Sequence, residues 1–533
     1  MKKQHRLRSL LAHLAPPAAF VVAASVHAAP VVTLQQFDPA CGQPQHNCRE
    51  AFQKAFAAEA KTGGTVLLPA GTFQIDFPEV AQDVRSAPAL QPESLVQVPA
   101  GVTIQGHLNA SRNPDSVIEW SITSIPVFIF ANASHSGMKN LHLRFTGATP
   151  QQFPYGDIAL LRALGYKPTF PHAGQMQGGN YEMFSFAYLF NSDDCSFDNL
   201  TFDSAVHDNA HVYGLGINAK GKGVVVNGGA GGLSETAVGN SFTNLRFFDA
   251  VMPMLIGAQE NLVVNSISSD RRGSTMNIAP GHLIYFTAGG LFEANGAVQH
   301  IWNKHITVSN LSEGPDTYSD IHSGATLSLK YIEGGTFQHI HSQNPDGLIQ
   351  PFYNTKSLTL EDLTWTSYRD MCAVGAPTCN IPPLESVPPL DPSDQPNSNL
   401  TLRSLIFTST VQPIGVEFEG NNITVDGLTI ETSPDFRQGQ ANTNAVLSVK
   451  NASHVTITNY TYIPLVTSAD PRHRYNTPYT CWGQCTDVHV DVRIQWPHAV
   501  PLPPQGTYVI TPAIQVKNSA NTNNTVRTRI EPR

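Results

Sequence analysis

Leu400-Thr-Leu-Arg-Ser-Leu-Ile406 and Ile423-Thr-Val-Asp-Gly-Leu-Thr429 are two copies of one pattern. Apolar residues alternate with polar ones, and Ser or Asp-Gly interrupts the run. Alternation with period two puts the apolar set on one face of a strand. The pattern also fills Met138–Phe145, Cys195–Phe202, Phe242–Phe248, Leu262–Ile267, His305–Leu311, Phe337–His341, Leu358–Thr364 and Val455–Tyr460. Its spacing is about twenty residues where nothing intervenes, as from Asn244 to Val263 or Leu402 to Val425, and such a period means stacked coils. Each coil is too small to bury its own apolar face, so stability comes from its neighbours.

A second strand follows in most coils: Met183–Leu189, Met252–Ile256, His282–Phe286, Ala325–Tyr331, Gly347–Phe352, Gly415–Phe418 and Ala445–Val449. If the coils stack, the turns joining first to second strands form one row. Ahead of them, Phe52, Ala55, Phe56 and Ala60 recur at helical spacing, which predicts an amphipathic helix over about 48–61 within a cap of about 41–64. Gly63-Gly64 stops it, and Thr65-Val-Leu-Leu68 begins the strands. Long insertions interrupt the rhythm at about 148–180, 207–235 and 372–398, the last holding seven prolines. One domain over 29–533 is expected.

The segment Lys61-Thr-Gly-Gly-Thr-Val-Leu-Leu-Pro-Ala-Gly-Thr-Phe73, followed by Val98-Pro-Ala-Gly-Val-Thr-Ile-Gln-Gly106, resembles the start of pectate-lyase-like superfamily proteins. The resemblance implies an all-β chain, a single-stranded right-handed parallel β-helix (a solenoid) with an N-terminal capping helix and long loop insertions. It also implies a polysaccharide or oligosaccharide as partner. The superfamily includes lyases, hydrolases, epimerases, transferases and tailspikes, so the chemistry has to come from the site. Asp193-Asp194-Cys195 matches part of a polygalacturonase-type pattern, but the Gly-His-Gly element is absent and Gly281-His282-Leu283 does not replace it. No catalytic role is carried onto that pair. The superfamily admits Ca²⁺, yet no ligand spacing here calls for it, and no cofactor or metal is expected.

The turn row gathers titratable groups: His207, Asp208, His211, Asp249, Asp270, Arg271, Arg272, His282, Asp316, Asp320, His322 and Asp346, with Tyr285 and Lys330 on second strands. Residues from adjacent coils, ~4.8 Å apart, can converge on one sugar. β-Elimination at a uronate needs a group that neutralises the carboxylate, a base and an acid. Arg271 and Arg272 suit the first task. His282, His211 or Lys330 can be the base, and Tyr285 the acid. His207, Asp249, Asp320, His322 and Asp346 are expected to bind substrate. Hydrolysis would instead need two carboxylates, drawn from Asp208, Asp249, Asp270 and Asp346. A lyase is the first expectation, a glycoside hydrolase or transglycosylase the alternative, and a non-catalytic glycan-binding or adhesive coil the third. For each residue a bland role competes: aspartates cap turns, histidines pack, arginines pair with nearby acids.

Composition narrows the field. The 533 residues carry a net charge of −9 and are 41% hydrophobic, which excludes wholesale disorder. Residues 1–8 are basic, 10–26 mostly apolar, and Val26-His27-Ala28 ends in small residues. This is a secretory signal pattern cut after about Ala28, so a secreted or periplasmic location is expected. Removing Lys2, Lys3, Arg6 and Arg8 leaves 28 basic against 41 acidic groups, −13. That disfavours a nucleic-acid partner. No later stretch is long and apolar enough for a membrane span. Export permits disulfides, expected as Cys41–Cys48, Cys372–Cys379 and Cys481–Cys485, with Cys195 left as a buried apolar residue. Asn-x-Ser/Thr triplets begin at Asn109, Asn132, Asn199, Asn310, Asn399, Asn422, Asn451, Asn459 and Asn523. They read as glycosylation acceptors or, preferably, as residues suited to strand edges.

Overall fold

A computed structural model describes residues 30–78, 92–121, 125–147, 160, 163–165, 186–204, 216–221, 236–270, 282–292, 298–315, 324–367, 383–386, 395–410, 414–433, 446–466, 478–501 and 522–533. The repeated runs pair in parallel, each with the coil before and after. Gly137–Phe145 pairs with Ser196–Ser204, then Ser241–Phe248, then Val263–Asp270, then Asn303–Glu313. The ladder continues through Leu327–Ser342, Ile349–Ser367, Ser398–Ser409, Val416–Thr432, Leu447–Pro464, Thr480–Trp496 and Thr525–Pro532. Leu402 does face Val425. The spacing from Asn244 to Val263 is three residues out of register, because Val263 pairs with Ser241. The polar residue of each run varies in place, so an alignment on it slips.

The earlier coils have a short strand and a longer bent strand, with a two-residue strand between them at Ala237–Val238 and Gln259–Glu260, whereas from Leu327 on most coils run as one continuous strand. Short strands Phe128–Ala131, Ala187–Phe190, Ile217–Lys220, Met254–Gly257 and Ile284–Thr287 stack in that order and then onto Leu327–Ser342. The long strands bend where one residue takes a left-handed conformation. Those residues are Asn140, Asn199, Asn244, Ser266, Asn310, His339, Asp362, Ser404, Gly427 and Asn459. The register aligns all ten. Left-handed backbone costs a side chain with a Cβ roughly 1–2 kcal/mol, least for Asn and Asp. Here the side chains offset it by bonding across coils. Asn199 Nδ2 donates to Asn140 Oδ1 at 2.9 Å, Asn310 Nδ2 to Asn265 Oδ1 at 2.7 Å, and Asn459 Nδ2 to Asp426 Oδ1 at 2.7 Å. Of the nine Asn-x-Ser/Thr asparagines, all but Asn109 have positive φ. Corner geometry accounts for that recurrence.

The interior of the coils is one continuous apolar core, filled by residues such as Phe130, Phe197, Phe242, Leu245, Val264, Phe337, Leu360 and Trp365. Phe202 stacks on Phe247 with centroids 4.7 Å apart. The helix Arg49–Glu59 closes one end, with Phe52 5.2 Å and Phe56 6.1 Å from the ring of Phe128. Its buried face is Ala51, Phe52, Ala55, Phe56 and Glu59, and Ala60 is exposed, because the helix ends one residue before it. A short strand Val31–Thr33 precedes Gly64–Leu67 in the ladder, so the strands do not begin at Thr65. Gly64 allows this approach: a Cβ there would lie 2.7 Å from the Pro30 carbonyl oxygen.

Two of the expected insertions contain coil strands. Ile217–Lys220 lies in the 207–235 stretch and Leu384–Ser386 in 372–398, and each stays in the parallel ladder. Both are only three or four residues long, too short for alternation to show. Leu160 and Ala163, from the 148–180 stretch, are buried in the core. Long connections 146–186, 205–216, 271–283 and 368–383 each join the end of a long strand to the next short strand, and 314–326 leads into the start of Leu327–Ser342, which stacks on Ile284–Thr287. Connection 221–236 is an exception, joining Ile217–Lys220 to Ala237–Val238. Disulfides link Cys41 to Cys48 and Cys481 to Cys485. Cys372 and Cys379 lie outside the described residues, as do 1–29 with the expected signal. Cys195 is a free, buried thiol, its pKa pushed up by burial. Among the described residues no helix is long and apolar enough to cross a membrane.

The corner ladder has a direct test. Asn310→Gly should leave thermal stability close to that of the parent. Asn310→Val should lower unfolding free energy by about 1–2 kcal/mol, since a β-branched residue resists positive φ. Equal melting midpoints for the two variants would contradict the left-handed assignment.

Candidate functional site

Tyr285 takes the outward position of the short strand Ile284–Thr287, between buried Ile284 and Phe286. One coil on, Leu327 and Leu329 point into the core and Lys330 points out, half-buried. The register sets Tyr285 beside Ser328, and Lys330 beside Tyr353 of the next coil. Lys330 reaches back along the sheet, and its Nζ donates to Tyr285 Oη at 2.5 Å. The same nitrogen is 4.5 Å from the centre of the Tyr285 ring and 5.4 Å from that of Tyr353. Hydrogen bond and ring attraction together hold the ammonium in place.

His282, also half-buried, has its ring 5.2 Å from that of Tyr285. Its Nδ1 donates to the Ala325 carbonyl at 2.6 Å. A neutral imidazole that donates through Nδ1 carries its lone pair on Nε2, which fixes the basic nitrogen. Backbone at Gly324 makes room for the ring: a Cβ there would lie 2.9 Å from His282 Cε1.

The outward row continues along the stack. Gln350 Nε2 donates to Glu385 Oε2 at 2.6 Å. Glu385 stands in register with Glu417 of the following coil, and Lys450 Nζ lies 3.5 Å from Glu417 Oε1. Burial raises the pKa of Glu385, and the charge of Glu417 adds to it. Burial likewise raises Glu417, with Lys450 partly offsetting the rise. Glu385, Glu417, Gln350, Tyr353 and Lys450 were not among the residues expected from the sequence. Glu417 was legible as the outward residue of Gly415–Phe418, whereas Glu385 was hidden among the prolines of 372–398.

The remaining expected residues fall in two groups. His207, Asp208, His211, Arg271, Arg272, Asp316, Asp320 and His322 lie outside the described residues. Asp249, Asp270 and Asp346 stand on the turn row, at the edge of the sheet that carries Tyr285. Asp249 is buried, and its backbone N–H donates to the Asp270 carbonyl at 3.0 Å. Asp346 ends an Asn344 turn, its N–H donating to Asn344 Oδ1 at 2.9 Å. Asp194 sits at a left-handed corner, and Asp193 Oδ1 accepts from the Val238 N–H at 2.8 Å, so this pair shapes a coil turn. Among the described residues, no group of three or more His, Cys, Asp or Glu side chains is arranged to hold a metal ion.

No family model matches the chain. No curated protein matches it either. Several solved structures are similar at low identity. The surface protein and adhesin PfbA of Streptococcus pneumoniae is 10% identical with TM-score 0.44, over 94% of this chain and 97% of that one. The DFA-IIIase of Arthrobacter chlorophenolicus A6, without its lid, is 10% identical with TM-score 0.42, over 86% and 94%. The A-module of the mannuronan C-5 epimerase AlgE6 of Azotobacter vinelandii is 12% identical with TM-score 0.37, over 94% and 99%.

The Glu385–Glu417 pair predicts a pH dependence. A carboxyl whose folded pKa is raised binds its proton more tightly in the folded state, so stability falls as pH rises from the ordinary carboxylate pKa through the raised one. Glu417→Gln should remove part of that slope and raise the melting midpoint at neutral pH. Melts recorded from acid to neutral pH would show it, and an unchanged slope would contradict the shared burial.

Proposed function

We propose that the chain is an exported polysaccharide-processing enzyme, most simply a lyase acting on a uronate polymer, built on a right-handed parallel β-helix. Right-handedness is what crossovers between parallel strands overwhelmingly adopt. The observation that supports the chemistry is the Lys330–Tyr285 contact with His282 beside it. His282 Nε2 takes the proton α to the uronate carboxylate. Lys330 offsets the carboxylate charge and, by donating to Tyr285 Oη, leaves the phenol proton directed elsewhere. Tyr285 gives that proton to the departing glycosidic oxygen, and the electron pair of the broken C–H bond becomes the new double bond. His211, Arg271, Arg272, Asp208 and Asp270 are proposed to complete the catalytic set, with His207, Asp249, Asp320, His322 and Asp346 holding substrate. The net negative charge of the chain works against an anionic polymer, and the local lysine offsets it.

A second reading rests on Glu385 and Glu417. Adjacent coils put them roughly 4.8 Å apart at the backbone, near the ~5–5.5 Å separation of retaining glycosidases. Burial raises both carboxyls, which suits a general acid, and Lys450 beside Glu417 favours the charged form a nucleophile needs.

Both readings meet one assay. Alginate, pectate and glycosaminoglycans are incubated with the protein while double-bond absorbance and reducing ends are followed together. Elimination predicts both signals, with Tyr285→Phe lowering turnover about 10²–10⁴-fold. Gly324→Ala should lower it as well by displacing the His282 ring. Reducing ends without unsaturation, lost in Glu385→Gln and Glu417→Gln, would favour hydrolysis. No cleavage of any polymer would remove both.

A further inference from the structure

Around the corner from Tyr353 lies a second feature. A groove of about 610 Å³ is lined by Trp302, Lys304, Glu333, Lys356, Ser398 and Asn421 among others. Successive coils supply its polar groups in register: Lys304 pairs with Glu333, Glu333 with Lys356, Lys356 with Ser398, and Ser398 with Asn421. The spacing is therefore one polar group every ~4.8 Å, about one pyranose unit. Trp302 stands at one end, half-buried, its ring held edge-on by Tyr331 at 6.0 Å. Glu333 is neutralised by Lys356 at 2.7 Å and held ionised by that hydrogen bond, its pKa lowered. Lys304 stands in register between Glu260 and Glu333, and its charge helps to keep Glu333 ionised, but among the described residues it makes no direct ion pair. The groove thus combines a fixed aromatic face, an ammonium with no direct ion pair and a run of polar side chains in register.

We infer that this groove is a non-catalytic binding site for an acidic saccharide, separate from the Tyr285–Lys330 site. Trp302 stacks on the apolar face of one sugar ring, as indoles do with extended apolar surfaces. Lys304 meets a carboxylate, and Lys356, Ser398 and Asn421 bond the hydroxyls of following units. A protein partner would need an apolar centre, whereas the floor here is polar. A nucleic acid would need more cations than the two lysines flanking Glu333. The inference does not depend on the catalytic reading, since binding is measured without turnover.

The test uses the full chain carrying Tyr285→Phe, so that no polymer is consumed. Oligogalacturonate and a neutral cello-oligosaccharide are titrated by calorimetry. Oligogalacturonate should bind. Adding Trp302→Ala should weaken it about tenfold or more, the loss typical of a removed aromatic anchor, and Trp302→Phe should recover part of it. Lys304→Gln should erase the preference for the acidic over the neutral sugar. An unchanged affinity in Trp302→Ala, with a parental melting midpoint, would overturn the proposal. So would equal binding of the two sugars by the Tyr285→Phe chain. Should no polymer be cleaved in the enzymatic assay while this titration behaves as expected, the groove stands and only the catalytic reading falls.

Discussion

Every coil must turn the backbone at the same places, and the left-handed residues that do it are the constraint on which the rest hangs. A coil with its corner displaced by one residue would flip its side chains from core to solvent. Ten coils from Asn140 to Asn459 keep the corner aligned. Asn, Asp, Ser, His and Gly fill it, residues that accept positive φ or bond locally to compensate. The core depends on this alignment, since the stacking of Phe202 on Phe247 and the burial of Trp365 both need neighbouring coils in register.

The same alignment gathers outward side chains by translation. Tyr285, Lys330, Gln350 and Tyr353, Glu385, Glu417 and Lys450 come from successive coils, yet each takes an outward place on the same sheet. No one of them is a motif. The stack converts their sequence separation into steps of one strand spacing, which is why hydrogen bonds and register pairs link them in order.

How far this was legible depends on element length. The long runs, such as Leu400–Ile406, carry three or four alternations each, enough to fix strand, face and period. Lys330 could be placed on an outward face because it alternates with Leu327, Leu329 and Tyr331, whereas Tyr285 read as readily as an inward core residue and only the burial of Ile284 and Phe286 on either side puts it outward. Leu384–Ser386 and Ile217–Lys220 have too few residues for a pattern, and they sit among prolines and glycines that read as loop. Glu385 was lost with that strand. The Tyr353 contact with Lys330 was illegible for another reason, since a register shift between Leu327 and Leu329 moves the pairing in a way no spacing encodes. Three of the five corner asparagines, Asn199, Asn310 and Asn459, were visible as Asn-x-Ser/Thr triplets, but their conformation follows from the ladder, not the triplet.

Most of the long connections leave the stack at a single edge, between a long strand and the next short one. Loop closure grows only slowly more costly with length, and these segments do not interrupt the ladder. Changes in the length of these connections therefore leave the ladder itself intact. In such a scaffold the thermodynamic backbone is decoupled from the connections, so sequence drift concentrated there would change the coil edges without endangering the fold.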